Sequence, residues 1–213
     1  EGASVMLQVN ELIAATLDYD HQRFERTFYS QVLHLGFEKC ILQVVYPYLE
    51  KIGVLWLTGH VMPAQEHFST NIIRTKIMTA IDGLQMNYGA GEHFLLFLPE
   101  GEFHEIPLLY AQYLLKKQGK LVTSFGPNVP PDDLLPFIRA KQVTHIYTHL
   151  LTNPSPQGMD RFAALLGKQY PHIKILLSGP QTKLLKAPVA DNVQVIGTPG
   201  ELLAFCAAPG NNG

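Results

Sequence analysis

One histidine in this chain has a carboxylate two residues before it, in the polar loop Pro99-Glu100-Gly101-Glu102-Phe103-His104-Glu105-Ile106-Pro107. An imidazole can ligate a transition metal, and a carboxylate at that offset can fix its tautomer and raise its basicity. Two other short segments share its character, with small or hydroxyl-bearing residues at the end of an apolar run. They are Thr148-His149-Leu150 and Ser178-Gly179. The only tryptophan, Trp56, is followed after nine residues by Glu66-His67, an aromatic surface paired with a hydrogen-bond acceptor. His145 and His149 lie four apart on an expected strand, one face without helical metal-pair geometry, and read as structural. Cys40 and Cys206 are too far apart in sequence for a disulfide framework or a zinc pattern and read as buried thiols.

The elements that must position these residues fall into two halves with different periods. Up to about residue 86 the apolar residues recur at helical spacing. Val5, Leu7, Val9, Leu12 and Ile13 begin one helix, and Phe24, Phe28, Val32 and Leu33 a second that Gly36 could cap. Ile41, Val44, Val45, Tyr48, Leu49, Ile52 and Leu55 carry a third towards Gly59. Pro63 opens a fourth with Phe68, Ile72, Ile73, Ile77, Ala80 and Ile81. Short connections make this a four-helix bundle over residues 1–88. Residues 87–91, Asn-Tyr-Gly-Ala-Gly, read as a linker, and the Pro154 and Pro156 region as a loop.

From residue 93 short apolar runs near 93–98, 121–125, 145–150, 173–177 and 193–196 alternate with helical stretches near 104–118, 131–142, 158–170, 181–187 and 200–207. Five strands joined through helices require crossover connections. The expectation for 89–213 is a flavodoxin-like, Rossmann-type five-stranded parallel sheet. Ligands of such sheets bind outside the carboxyl ends of the strands. In strand order 2-1-3-4-5, His104, Thr148 and Ser178-Gly179 face one crevice.

Composition bounds the function. Of 213 residues 46% are hydrophobic and 16% charged, which supports a sizeable core and argues against disorder. A net charge of −2 gives no electrostatic reason to expect nucleic-acid binding by this stretch. No uncharged apolar run approaches the roughly 18 residues that span a membrane. The start, Glu1-Gly2-Ala3-Ser4, carries no signal-peptide pattern and no initiator Met, so a cytoplasmic fragment of a longer protein is expected. Nucleotide loops, nucleophile elbows and zincin helices do not occur.

The spacing of the strand-end segments resembles that of cobalamin-binding domains. Glu102-x-His104-x-x-Pro107, 40 residues, Thr148-x-Leu150, 27 residues and Ser178-Gly179 stand where that family has Asp-x-His-x-x-Gly, Ser-x-Leu and Gly-Gly. Each element is altered and both gaps are kept. The resemblance implies that His104 ligates cobalt in place of the cofactor's own benzimidazole and that Glu102 supports it. The displaced nucleotide tail would thread into the sheet domain past Thr148, Leu150, Ser178 and Gly179. Pro107 replaces a glycine, which a first helical turn tolerates.

A second resemblance is independent. Trp56-x9-Glu66-His67 is similar to the bundle signature of cobalamin-dependent regulators of the mercury-resistance-regulator (MerR) type. It implies that Trp56 packs over an adenosyl group, with Glu66 accepting hydrogen bonds from it and His67 close by. Where light-sensing members carry a His directly after the Trp, this chain has Leu57. Together the resemblances imply an adenosylcobalamin sensor, with the cofactor between bundle and sheet domain. It would be a homo-oligomer when loaded and would act on promoter DNA through a winged-helix domain not included here. It would make no product and touch no membrane. The alternatives are a corrinoid carrier of a methyltransferase system and a degenerate regulator that no longer binds cobalamin.

Overall fold

The computed structural model describes residues 2–85, 91–152, 158–186 and 188–207. Most of the expected linker (87–90), the Pro154 and Pro156 loop and the Cys206 side chain lie outside the described residues. The chain divides into two compact units, Glu1–Lys76 and Ile77–Gly213. The division falls inside a helix, earlier than the 88/89 boundary expected from sequence.

The first unit holds α1 (Gly2–Leu17), α2 (His21–Leu35), α3 (Phe37–Cys40), α4 (Tyr46–Leu57) and most of α5 (Pro63–Asp82). The Asp20 side chain accepts the Arg23 N–H to start α2. Gly36, at φ 83°, donates its N–H to the Val32 carbonyl to end it. α3 and α4 are joined without a break by a π-helical turn, Ile41–Val45. Its cause is Pro47, whose ring would clash with the carbonyl four residues back and which has no N–H to offer. The chain widens instead, and the Tyr46 N–H reaches the Ile41 carbonyl, five residues away. Val9, Leu12, Phe24, Phe28, Ile41, Val44, Tyr48, Ile52 and Ile73 are buried in the bundle core. By length and composition the helix Phe37–Leu57 is apolar enough to cross a membrane, with a mean hydropathy of 1.3. It is not an uncharged run, because Glu38, Lys39, Glu50 and Lys51 interrupt it. Its buried face is the bundle core just named.

The second unit is a five-stranded parallel sheet in the order β2-β1-β3-β4-β5, as expected. The strands are β1 (His93–Pro99), β2 (Leu121–Val129), β3 (His145–His149), β4 (Lys174–Ser178) and β5 (Val193–Ile196). β1, an interior strand buried along its whole length, is a continuous apolar run apart from His93 and Pro99. Leu95, Phe97, Ile146, Ile175 and Leu177 pack on one face with Phe162 and Leu166 of α8 (Met159–Gln169). α6 (Ile106–Lys117) lies against β1, β2 and β3, and α9 (Pro199–Ala207) against α6 and β5. Two expected helices are shorter than their sequence windows. Residues 131–142 give a 3-10 turn, Pro131–Leu134, and then α7 (Leu135–Ala140), because Pro131 and Pro136 leave few amides for α-helical bonds. Among the described residues, the window 181–187 holds only part of the 3-10 turn Pro180–Leu184.

His145 is partly buried and packs among aromatic side chains. Its ring stacks on Phe94 at 4.3 Å, meets Phe205 edge-on, and its Nδ1 lies 2.8 Å from the Thr144 hydroxyl. Burial pushes its pKa down to about 4, against the pull of Glu92 and with the help of Lys174 and Lys120. A histidine depressed below its unfolded value near 6.5 takes up its proton more readily in the unfolded chain. Its contribution is therefore complete above that value and is lost as pH falls towards 4. Between pH 7 and 5 the wild type should lose about 2 kcal/mol that a His145→Phe variant keeps. Urea unfolding at the two pH values checks this, and equal losses in both proteins would refute it.

Candidate functional site

The loop from β1 to α6 begins with a turn in which the Glu102 N–H donates to the Pro99 carbonyl at 2.9 Å. Gly101, at φ 83°, supplies the conformation such a turn needs at its third position. The turn drives the Glu102 side chain inward, where the residue is 1% exposed. One carboxylate oxygen, Oε1, accepts the His104 N–H at 3.0 Å and lies 2.6 Å from His104 Nδ1. The other, Oε2, accepts the Leu151 N–H (2.9 Å), the Thr152 N–H (2.7 Å) and the Thr152 hydroxyl (2.8 Å). Burial by itself would push the Glu102 carboxyl up. The hydrogen bonds from the His104 ring, Thr152 and the His104 backbone outweigh it and hold the group well below the usual carboxylate range. A carboxylate charged under all ordinary conditions therefore receives the Nδ1 proton, which makes Nε2 the unprotonated nitrogen of the half-exposed ring.

Pro107 is the second residue of α6, where no backbone N–H is required of it, and the Leu109 N–H closes the first turn on the Glu105 carbonyl. A proline at this position therefore costs the start of α6 no hydrogen bond.

Thr148 is fully buried near the end of β3, and its hydroxyl has no hydrogen-bond partner among the described residues. Such a group costs about 1–3 kcal/mol unless something satisfies it. Beside it, His149 Nδ1 is likewise buried without a partner, and burial pushes the His149 pKa down to about 4. Leu150 and Ser178-Gly179 are locked together through the backbone. The Leu150 N–H donates to the Ser178 carbonyl at 2.9 Å, and the Leu150 carbonyl accepts from Gln181 at 3.2 Å. A Cβ on Gly179 would stand 2.4 Å from the Leu150 carbonyl oxygen.

Sequence reasoning missed Thr152, which binds the supporting carboxylate through both its N–H and its hydroxyl. Its only sequence signal is a hydroxyl a few residues beyond a strand end. Among the described residues there is no cluster of three or more His, Cys, Asp or Glu able to hold a bare metal ion. A single imidazole suits a metal whose other positions are filled by its own ligand. The orphaned Thr148 hydroxyl and the Glu102-held His104 are groups that a corrinoid could satisfy.

The first unit presents its own group. Trp56, in the last turn of α4, is 49% exposed, so it is not a core tryptophan. Leu57, Val54 and Met62 are also exposed around the α4–α5 turn. The turn is fixed at its far end by Gln65, whose Oε1 accepts the Met62 N–H while its Nε2 donates to the Leu17 carbonyl. Glu66 lies in the first turn of α5, and its Oε2 is 3.0 Å from Nδ1 of the exposed His67.

The B12 binding domain family matches residues 8–81, which is the helical part of the chain. The HTH-type transcriptional repressor CarH of Myxococcus xanthus is 30% identical over 123 residues, covering 58% of this chain. The match spans about 40% of that relative's length. Among solved structures, the monomethylamine corrinoid protein of Methanosarcina barkeri superposes with a TM-score of 0.69 over 94% of this chain and 93% of its own. At 15% identity that likeness is one of fold.

Proposed function

We propose that this chain, whose helical unit belongs to the B12 binding domain family, is the adenosylcobalamin-sensing region of a MerR-type regulator. The observation that carries the reading is the buried Glu102 carboxylate holding the His104 ring, together with a buried Thr148 hydroxyl that has no partner among the described residues. Cobalt would be held by His104. Thr148, Leu150, Ser178 and Gly179 would border the nucleotide tail. The exposed Trp56, with Glu66 and His67, would take the adenosyl side.

A sensor of this kind forms no product. Bound cofactor would change how copies of the chain assemble, and through that the avidity of DNA-binding heads outside these 213 residues. A cytoplasmic homo-oligomer is the corresponding state. The 30% identity to a transcriptional repressor supports the regulatory reading over a methyltransferase carrier. Leu57 stands where light sensors carry a histidine, so cofactor binding has more support here than photochemistry of their kind.

Mixing the protein with adenosylcobalamin in darkness, desalting it, and recording spectrum and size before and after green light tests the reading. Retained cofactor with a base-off, histidine-ligated spectrum and a larger assembly is the expected result. Retention with no change of size on loading or illumination would favour the carrier. No retention would leave the degenerate regulator.

A further inference from the structure

The β1–α6 loop is gripped from a second side, by a residue outside the motif. β2 does not stop where its apolar run ends. It continues to Val129 through two register irregularities against β1, one between Leu96 and Phe97 and one between Phe97 and Pro99. The extension places Asn128 beside the Pro99–Glu102 turn. Its Oδ1 accepts the Gly101 N–H at 2.9 Å, and its own N–H donates to the Glu102 carbonyl at 3.1 Å. Asn128 is one of only two non-glycine residues with positive φ among the described residues, at 60°. Asparagine is among the few side chains that tolerate that conformation. The two bonds bracket the Gly101–Glu102 unit, so the Glu102 main chain is fixed by β2 while its carboxylate is fixed by Leu151 and Thr152.

We infer that Asn128 is a positioning residue for His104: it sets the backbone from which Glu102 orients the imidazole. The inference rests on the proposed ligation by His104. It deepens that reading by naming what aims the ligand, and it extends to the cofactor-free protein. A side chain that only filled space would leave the imidazole tautomer alone, whereas a clamp on Glu102 controls it.

Three variants separate the contributions. Asn128→Gly keeps the positive φ and removes the acceptor. Asn128→Asp keeps both the acceptor and tolerance of the backbone, and Asn128→Ala loses both. In the cofactor-free protein, ¹⁵N shifts of the His104 ring should report a fixed Nδ1–H form in wild type and Asn128→Asp, and a mixture in Asn128→Gly. The Gly101 amide should exchange at least about tenfold faster in Asn128→Gly. In the loaded protein, histidine-nitrogen splitting in the cobalt(II) spectrum should persist in Asn128→Asp and weaken in Asn128→Gly, with retention falling about tenfold. Unchanged ring shifts in Asn128→Gly overturn the inference whatever the cofactor does. Wild-type protein that fails to ligate cobalt through histidine sinks the proposed function instead, and the cofactor-free ring shifts then decide the inference on their own.

Discussion

His104→Ala protein is expected to fold normally and to lose histidine ligation of cobalt altogether. Folding should survive because the ring is half exposed and because Glu102 keeps its other partners. The backbone N–H of residue 104 still reaches Oε1, and Leu151 and Thr152 still hold Oε2, so no buried charge is stranded. Ligation has no such reserve. Altering the group that orients a metal-bound histidine typically costs about 10- to 100-fold in affinity, and removing the ligand itself should cost at least as much. The measurement is cobalamin retained after desalting, with the cobalt(II) spectrum inspected for nitrogen splitting. A histidine-type spectrum that survives in His104→Ala would move the ligand elsewhere, with His149 and His67 as the candidates to replace next.

The sequence made the sheet legible strand by strand because buried parallel strands are apolar runs, while the order 2-1-3-4-5 entered as one of the orders that right-handed crossovers allow. It made the bundle legible for the related reason that apolar residues at helical spacing need a common core. What it could not display are contacts made across the strand ends. Thr152 meets Glu102 from fifty residues away, and the pairing follows from the curl of the chain after β3. Asn128 lies beyond the apolar run of β2, and only the two irregularities in that strand bring it to the loop. The same limit explains the π turn before Pro47, where a proline that looks compatible with a helix changes the hydrogen-bond pattern of the turn preceding it. Trp56 is a different case. Its type favours a core position and its place at a helix end favours a rim, and the 49% exposure decides for the rim.

Gly179→Ala should be among the most damaging single substitutions in the sheet unit, and it should be so without any cofactor. The added Cβ would lie 2.4 Å from the Leu150 oxygen, 2.7 Å from its nitrogen and 2.8 Å from its carbonyl carbon. These are backbone atoms, and Leu150 is itself tied by bonds to Ser178 and Gln181, so relief requires moving the β3–β4 junction. The φ of +97° adds strain for any L side chain. Gly126→Ala is the internal comparison, since Gly126 has a φ of +75° but nothing within 4 Å of its Cβ position. That variant should lose about 1–2 kcal/mol from conformation alone, and Gly179→Ala about 3–5 kcal/mol in urea unfolding. Equal losses would mean that the approach of Leu150 is not what requires glycine here. If the difference appears, the second glycine of the Gly-Gly pattern owes its identity to chain packing. A failure of Gly179→Ala to hold cobalamin would then follow from displacement of Leu150 and the neighbouring Thr148, and would not by itself place the nucleotide tail against residue 179.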